Sequence, residues 1–258
     1  MSALRSALSA LFFICFGLGG LLLGTILVPV LRPFGGKAKT RALRTAVRTC
    51  YRLFVGAARA TGLFRVVVAP EVRERLASLR GCVVAANHPT LIDVIILLAV
   101  LPDSTAIAKS AAGRNFFYSF VVKGAFIVND DPEKLLQTAE KLLAEGVNVA
   151  IFPEGTRTPQ NARQRKLHRG AAQIALHAGV PVRCVRIACD PPVLAKGQPW
   201  WDVADRTIEF SLDDCGEIPA ERKEARPSRS RPSRAAAISM TERIHEMLFP
   251  SSVQSIGK

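Results

Sequence analysis

The chain has 258 residues, of which 49% are apolar and 22% are charged. These proportions exclude an intrinsically disordered chain and supply enough apolar side chains for one sizeable core. Lys and Arg number 35 against 21 Asp and Glu, so the formal net charge is +14. Such an excess indicates a polyanionic partner, either a membrane surface or a nucleic acid.

The first segment is a long apolar run. No charged residue occurs between Arg5 and Arg32, and about 20 apolar residues are enough for a helix to cross a bilayer. A cleaved signal peptide has a shorter apolar core of about 7 to 15 residues, so the run predicts a retained membrane anchor. Its glycines also allow a bend within one leaflet, so a spanning and a single-leaflet placement both stay open.

A basic segment follows this run. The first 70 residues contain ten Arg or Lys and no acidic residue. Four of these cations recur at steps of three and four and share one helical stripe: Arg41, Arg44, Arg48 and Arg52. Cations beside an apolar run favour anionic lipid at about 1 kcal/mol each, which argues against a nucleic-acid partner. We predict an interfacial helix, with a solvated helix packed on a soluble domain as the alternative.

From residue 64 onward, short apolar runs alternate with helical patterns. This predicts an α/β fold in which helices cover a mixed, mostly parallel sheet, with an N-terminal membrane-associated helical hairpin. The predicted strands are 64–69, 82–86, 105–108, 125–128, 149–152, 182–188 and 207–212. The predicted helices are 91–101, 115–122, 132–145, 170–178 and 235–248. Asp130 or Asp131 can cap the third of these helices, which begins at Pro132 and ends at Gly146.

The same pass divides the chain into three parts. Residues 1–63 are predicted to be membrane-anchoring helices, 64–219 the α/β domain, and 220–258 a basic Pro/Ser-containing linker with a C-terminal helix. The six cysteines form no C-x-x-C pair and no Cys/His cluster with zinc spacing. They are therefore expected to be reduced thiols, without a metal site.

The first candidate site is the segment NHPTLID at residues 87–93. It follows a predicted buried strand, so His88 should lie at an exposed rim, and Pro89 should turn the chain so that Asp93 returns to it. A carboxylate on one imidazole nitrogen lets the other nitrogen accept a proton. This is the base and orienting group of a triad without a protein nucleophile. A surface His beside a helix-capping Asp is the alternative.

The second candidate site is the segment FPEGTRT at residues 152–158. It follows another predicted buried strand. Its glycine turn offers backbone N–H groups, and Thr156 and Arg157 add a hydroxyl and a guanidinium, all suitable for a phosphate. An ordinary β-turn followed by a solvated basic loop is the alternative.

Together these segments resemble the glycerolipid acyltransferase family, whose members acylate lysophosphatidate and related acceptors. The resemblance rests on NHPTLID, on FPEGTRT, on their order, and on KLHRGAAQIALHAGVPV at 166–182. It implies that His88 is a general base and that Asp93 orients it. It also implies direct attack of a lipid hydroxyl on an acyl-ACP or acyl-CoA thioester, without a metal or organic cofactor.

The resemblance assigns the acceptor site as well. The implied substrate-binding residues are Glu154, Gly155, Thr156, Arg157 and Lys109. The implied acceptor is a lysophospholipid such as 1-acyl-glycerol 3-phosphate, used in phospholipid biosynthesis. The implied location is the cytoplasmic face of a bacterial inner membrane, with membrane lipid as a further partner.

One position departs from the family pattern. Where the family's second block carries an Arg, this chain has Asn129, followed by two Asp residues. An amide is a poorer phosphate ligand than a guanidinium. This leaves open another lipid acceptor, such as a lipid A-like precursor, glycerol 3-phosphate or a specialised bacterial lipid. A non-catalytic membrane-anchored binding protein is the alternative from another class.

Overall fold

The computed structural model describes residues 2–31, 35–109, 125–160, 162, 165–199, 201–220 and 232–250. The helix predicted at 115–122 lies outside the described residues, as does most of the predicted linker.

The predicted capping of the helix at Pro132 is confirmed, because the Asp131 side chain accepts hydrogen bonds from the N–H groups of Glu133 and Lys134.

Seven strands of the described chain form one sheet in the order β1-β7-β6-β2-β5-β3-β4. Their bounds are β1 Phe64–Val67, β2 Val83–Ala86, β3 Ser104–Lys109, β4 Ile127–Asn129, β5 Asn148–Ile151, β6 Val182–Asp190 and β7 Ile208–Ile218. The strands from β6 to β4 run parallel, whereas β7 is antiparallel to β6 and parallel to β1. The predicted mixed, mostly parallel sheet is therefore confirmed.

Helices cover both faces of this sheet. Their bounds are α1 Ser2–Leu22, α2 Val28–Val30, α3 Gly36–Ala60, α4 Pro70–Ser78, α5 Asp93–Val100, α6 Pro132–Ala144, α7 Gly170–Ala178 and α8 Arg234–Leu248. A π-helical turn, Leu23–Leu27, joins α1 to α2. The sequence does not predict α4, because only Val72 and Leu76 of this polar helix are buried.

The core has two layers that follow the alternation of the strands. In β2, Val84 and Ala86 pack with helices α3, α4 and α5. Val83 and Ala85 point to the opposite face and pack with α6, α7 and α8. Successive side chains of a strand alternate between faces, so β2 is buried on both sides at the centre of the sheet.

The helices α1 and α3 form an N-terminal hairpin. Phe12 of α1 meets Phe54 of α3 edge to face, with 5.4 Å between ring centroids, and Phe16 stacks on Tyr51. One helix of the described chain, over Leu4–Ile26, is long and apolar enough to cross a membrane. A cavity of about 500 Å³ with an almost wholly apolar lining lies between the two helices.

The basic stripe of α3 divides between solvent and protein. Arg41 and Arg52 are exposed, but Arg44 is only 7% exposed and pairs with Asp103, with 2.7 Å between Nε and Oδ1. The prediction of an interfacial stripe is therefore wrong for Arg44. This side of α3 packs on the α/β domain, because the partner carboxylate lies directly after α5 and compensates the buried charge.

Candidate functional site

The first motif begins where β2 ends in the middle of the sheet. Asn87 is 4% exposed, and its amide bridges to β6 in both directions. Its Nδ2 donates to the Ile187 carbonyl at 2.8 Å, and its Oδ1 accepts from the Ile187 N–H at 2.6 Å. These bonds hold the strand end where the next residue, His88, leaves the sheet. The sequence pattern alone does not identify this role, since the two residues are 100 positions apart.

The structure brings His88 and Asp93 together, as the motif predicts. Asp93 is the first residue of α5 and is fully buried. Its Oδ2 lies 2.8 Å from His88 Nδ1 and accepts from the Thr90 N–H at 2.7 Å, while Oδ1 accepts from the Thr90 hydroxyl at 2.6 Å. With Nδ1 as the donor to this carboxylate, Nε2 carries the lone pair that can accept a proton.

Burial controls the electrostatics of this pair. Loss of solvation raises the pKa of Asp93 above its ordinary value of 3.8, and hydrogen bonds from His88 and Thr90 oppose that shift. Ionised Asp93 therefore depends on its donors to remain charged in this environment. A positive charge that develops on the imidazole has a strong electrostatic effect at this short distance, because little water screens it.

Residues of the second motif form hydrogen bonds with the backbone of His88. Glu154 follows β5 and is 5% exposed. Its Oε1 accepts from the His88 backbone N–H at 2.8 Å, and the Thr158 N–H donates to the His88 carbonyl at 2.9 Å. The turn after β5 thus holds both backbone polar groups of His88. This contact connects the two motifs, which lie 66 positions apart along the chain.

Glycine is required at position 155 for two reasons. Its φ is +64°, in the left-handed region that L side chains rarely adopt. A Cβ at this position would lie 2.9 Å from Cδ2 of His168. The neighbouring Thr156 is exposed, whereas the Gly155 N–H donates to the Phe152 carbonyl at 2.9 Å within the turn.

One terminal nitrogen of the Arg157 guanidinium is already hydrogen-bonded within the protein. Its Nη1 donates to the carbonyls of Leu194 and Ala195 at 3.0 and 3.1 Å. Leu194 has a φ of +54°, and its carbonyl also accepts from the Leu91 N–H. Arg157 therefore fixes the loop after β6 beside the first motif. Its contact with a phosphate stays a prediction.

Two further predicted positions lie at the same edge of the sheet. Lys109 ends β3 and pairs in register with Asn129, which ends β4 and is exposed. The Lys109 side chain lies outside the part of the chain that is described. The carboxyl ends of β2, β5, β3 and β4 meet here, and open α/β sheets bind ligands at this edge.

The remaining histidines and the cysteines have other surroundings. His177 Nε2 lies 3.1 Å from a Glu140 oxygen between α7 and α6, so this imidazole connects two helices. The cysteines of the described chain are free, and burial raises the pKa of Cys184 to about 12. Within the described ranges, no group of three or more His, Cys, Asp or Glu residues is placed to hold a metal ion.

Comparisons with known proteins identify related chains. Residues 65–188 match the family model described as Acyltransferase. The chain is 30% identical over 125 residues to human 1-acyl-sn-glycerol-3-phosphate acyltransferase beta, covering 43% of this chain and 44% of that protein. It is 38% identical over 117 residues to 1-acyl-sn-glycerol-3-phosphate acyltransferase of Bacillus subtilis (strain 168), covering 43% and 57%. The chain thus spans about half the length of these relatives.

A solved structure shares the fold. It is the 1-acyl-sn-glycerophosphate (LPA) acyltransferase PlsC from Thermotoga maritima. The TM-score is 0.65 at 22% identity, and the similarity covers 95% of this chain and 94% of that one. The likeness includes the α1–α3 hairpin as well as the α/β domain, since so little of either chain is left out.

Proposed function

We propose that this chain is an O-acyltransferase of phospholipid biosynthesis and a member of the 1-acylglycerol-3-phosphate acyltransferase family, as its matched family model and relatives support. It transfers a fatty acyl group from acyl-ACP or acyl-CoA to the hydroxyl of a lysophospholipid such as 1-acyl-glycerol 3-phosphate. The observation that carries the proposal is the contact of 2.8 Å between His88 Nδ1 and the fully buried Asp93 carboxylate.

The proposed mechanism needs no covalent acyl-enzyme. His88 Nε2 takes the proton from the acceptor hydroxyl while the hydroxyl oxygen attacks the thioester carbonyl carbon. The resulting tetrahedral intermediate expels the thiolate by breaking the C–S bond, and the imidazolium returns its proton to the sulfur. Asp93 stabilises the imidazolium and keeps the correct tautomer, so both proton transfers occur at the same nitrogen.

The acceptor phosphate is proposed to lie beside the turn that follows β5. Thr156 supplies a backbone N–H group and a hydroxyl, Arg157 supplies the guanidinium nitrogens other than the committed Nη1, and Lys109 supplies an ammonium from the end of β3. Gly155 shapes the turn, since its own N–H already donates to the Phe152 carbonyl at 2.9 Å. Cations and backbone N–H groups around one point are suited to a phosphate monoester. Glu154 contributes indirectly, since its carboxylate binds the His88 backbone.

A different lipid acceptor is the second candidate, and Asn129 favours it. This exposed amide stands at the carboxyl edge beside Lys109, where a guanidinium would bind phosphate more strongly. A panel of acceptors with one labelled acyl thioester decides between the candidates. The panel contains lysophosphatidate, glycerol 3-phosphate, other lysophospholipids and a lipid A precursor. Turnover on lysophosphatidate alone supports the first candidate, and turnover only on another lipid supports the second.

The membrane seat of the enzyme is proposed to be a single leaflet on the cytoplasmic face of a bacterial inner membrane. The 23-residue span from Leu4 to Ile26 is about 35 Å long as a helix, yet Arg5 near its first end and the helix α3 that follows its second end both contact the same α/β domain. At one end, the Arg5 guanidinium donates to the carbonyls of Gly62, Leu63, Ala204 and Arg206.

After the other end of the span, the first turns of α3 contact the α/β domain. Lys37 lies 3.0 Å from a Glu145 oxygen after α6, and Arg44 pairs with Asp103. A spanning helix would separate these ends by the hydrocarbon thickness of about 30 Å. In contrast, an in-plane helix leaves its exposed apolar stripe in the acyl-chain region. The stripe consists of Leu4, Leu11, Ile14, Leu18, Leu22 and Ile26.

Sided labelling tests the single-leaflet seat. Ser2→Cys, at the N-terminal end of α1 and outside the apolar stripe, and Ala38→Cys are made separately, in inverted inner-membrane vesicles that expose the cytoplasmic face. An impermeant maleimide is added, and mass spectrometry measures labelling at the introduced residue. We expect both positions to be labelled without permeabilisation. If only one of them reacts until the vesicles are opened, the span crosses the bilayer and the proposed seat is wrong.

A further inference from the structure

Arg165 lies at the centre of a set of contacts that joins the C-terminal helix to His88. Its side chain is only 8% exposed, and the Glu154 side chain beside it is 2% exposed. The two form an ion pair with 3.3 Å between Nη1 and Oε2. Since Oε1 of the same carboxylate accepts from the His88 N–H, one buried side chain separates Arg165 from the proposed base.

The other contacts of Arg165 fix its orientation. Nη2 donates to the carbonyls of Pro159 and Gln160, both at 2.7 Å. The guanidinium carbon lies 4.5 Å from the centroid of the Phe249 ring, within the range of a cation–π contact. Both terminal nitrogens therefore have protein acceptors, and one face of the guanidinium packs against the Phe249 ring.

Phe249 is itself held in place at the end of α8. Its N–H donates to the His245 carbonyl at 2.8 Å. Arg186 of β6 binds the preceding carbonyls, with Nε donating to Leu248 at 3.1 Å and Nη2 donating to Met247 at 3.3 Å. A cation at a helix C-terminus satisfies carbonyls that have no partner within the helix. The end of α8 is thus attached to the sheet that carries the site.

A buried carboxylate needs charged or hydrogen-bonding partners, and removal of a partner leaves it to rearrange or to draw in water. Without Arg165, the Glu154 carboxylate loses the charge that holds its outer oxygen. Its inner oxygen then binds the His88 N–H in a less defined position. A displacement of about 1 Å at a reacting group reduces the rate without a change in ground-state binding.

We propose that Arg165 is a positioning residue for the acyl transfer. It lies between Phe249 and Glu154 and fixes the carboxylate that holds the His88 backbone, so the end of the C-terminal helix sets the place of the general base. The proposal rests on the proposed function for its kinetic effect, but the effect on the His88 backbone is independent of turnover.

The test uses Arg165→Met, Arg165→Lys and Phe249→Leu in the full chain, with Lys166→Met as the matched control. Lys166 is adjacent, basic and exposed, so its removal takes away the same charge without touching Glu154. Two quantities are measured: hydrogen–deuterium exchange of peptides that contain the His88 amide, in the absence of substrate, and kcat and KM for donor and acceptor. A peptide from β1 serves as the internal reference for global unfolding.

For Arg165→Met we expect kcat to fall about tenfold to a hundredfold, the range for loss of a charge-assisted hydrogen bond, with both KM values within about twofold. Exchange at the His88 amide should rise about tenfold or more relative to the β1 peptide, because its acceptor is no longer fixed. Arg165→Lys should fall between this variant and wild type, and Phe249→Leu should shift both readouts in the same direction.

Three outcomes would overturn the proposal. The first is unchanged exchange at His88 in all three variants. The second is a raised acceptor KM at constant kcat, which would make Arg165 a direct phosphate ligand. The third is equal exchange at β1 and His88 in every variant, which would give Arg165 a role in global stability only. If wild-type protein transfers no acyl group, the proposed function fails, while the exchange readout still decides the role of Arg165.

Discussion

Asp93→Asn is the substitution that most sharply separates chemistry from folding at this site. It keeps the shape of a fully buried side chain that contacts His88 at 2.8 Å but removes its charge. Two unit charges about 4 Å apart interact by about 4 kcal/mol at an effective dielectric constant of about 20. At about 1.4 kcal/mol per tenfold, loss of the carboxylate should lower kcat by about a thousandfold.

The assay is single-turnover transfer from a labelled acyl thioester to the acceptor identified by the panel. Asp213→Asn is the matched control, because Asp213 is an exposed carboxylate on β7, outside the motifs. It should leave kcat within about twofold, as expected of a surface change. Thr90→Val should lie between the two, since it removes only the hydroxyl that donates to Asp93 at 2.6 Å. If Asp93→Asn keeps more than about a tenth of the wild-type kcat, the coupling of His88 and Asp93 has no catalytic role.

Two ion pairs away from the site yield stability predictions. Arg44→Met should lower the free energy of unfolding by about 1–2 kcal/mol, because it leaves the partly hydrated Asp103 carboxylate without its ion-pair partner. Arg41→Met, exposed on the same helix, should have little effect in the same urea titration. Although burial raises the pKa of Asp214, bonds led by that from Arg183 lower it below its ordinary 3.8 overall. The ionised form therefore stabilises the fold above about pH 4, and this contribution is lost as the pH falls through the lowered value. Asp214→Asn should thus cost about 2 kcal/mol at pH 7 and less at pH 3, whereas an equal cost at both would contradict this assignment.

Local signals predict the strands and the first contact of the site. All seven predicted strands are present because each is a short apolar run between turn residues, as at β5, Asn148–Ile151, where every side chain is buried. His88 and Asp93 are five positions apart, so one Pro-containing turn is enough to bring them together. The helix Pro132–Ala144 has its cap and its proline within its own sequence.

Contacts between distant positions are not readable in the same way. Arg44 and Asp103 are 59 positions apart, and a helical stripe of cations does not show which of them will meet a carboxylate. Arg165 follows the second motif in an exposed-looking basic loop, yet its environment is set by Phe249 at the far end of the chain. The sequence also shows no signal for the bridge from Asn87 to β6, since an amide before a histidine is common in turns. The predicted domain bounds at 63 and 219, and the roles of the site residues, stay predictions.

Acyl transfer by His88→Ala tests the central claim most directly. The detergent-solubilised variant, wild-type protein and His177→Gln are compared with the same labelled thioester and acceptor. His177→Gln removes an imidazole that contacts Glu140 between two helices. We expect His88→Ala to lose at least about a hundredfold in kcat, as loss of a general base should cause, while His177→Gln stays near wild type. Equal turnover by His88→Ala and wild type would contradict the proposed mechanism.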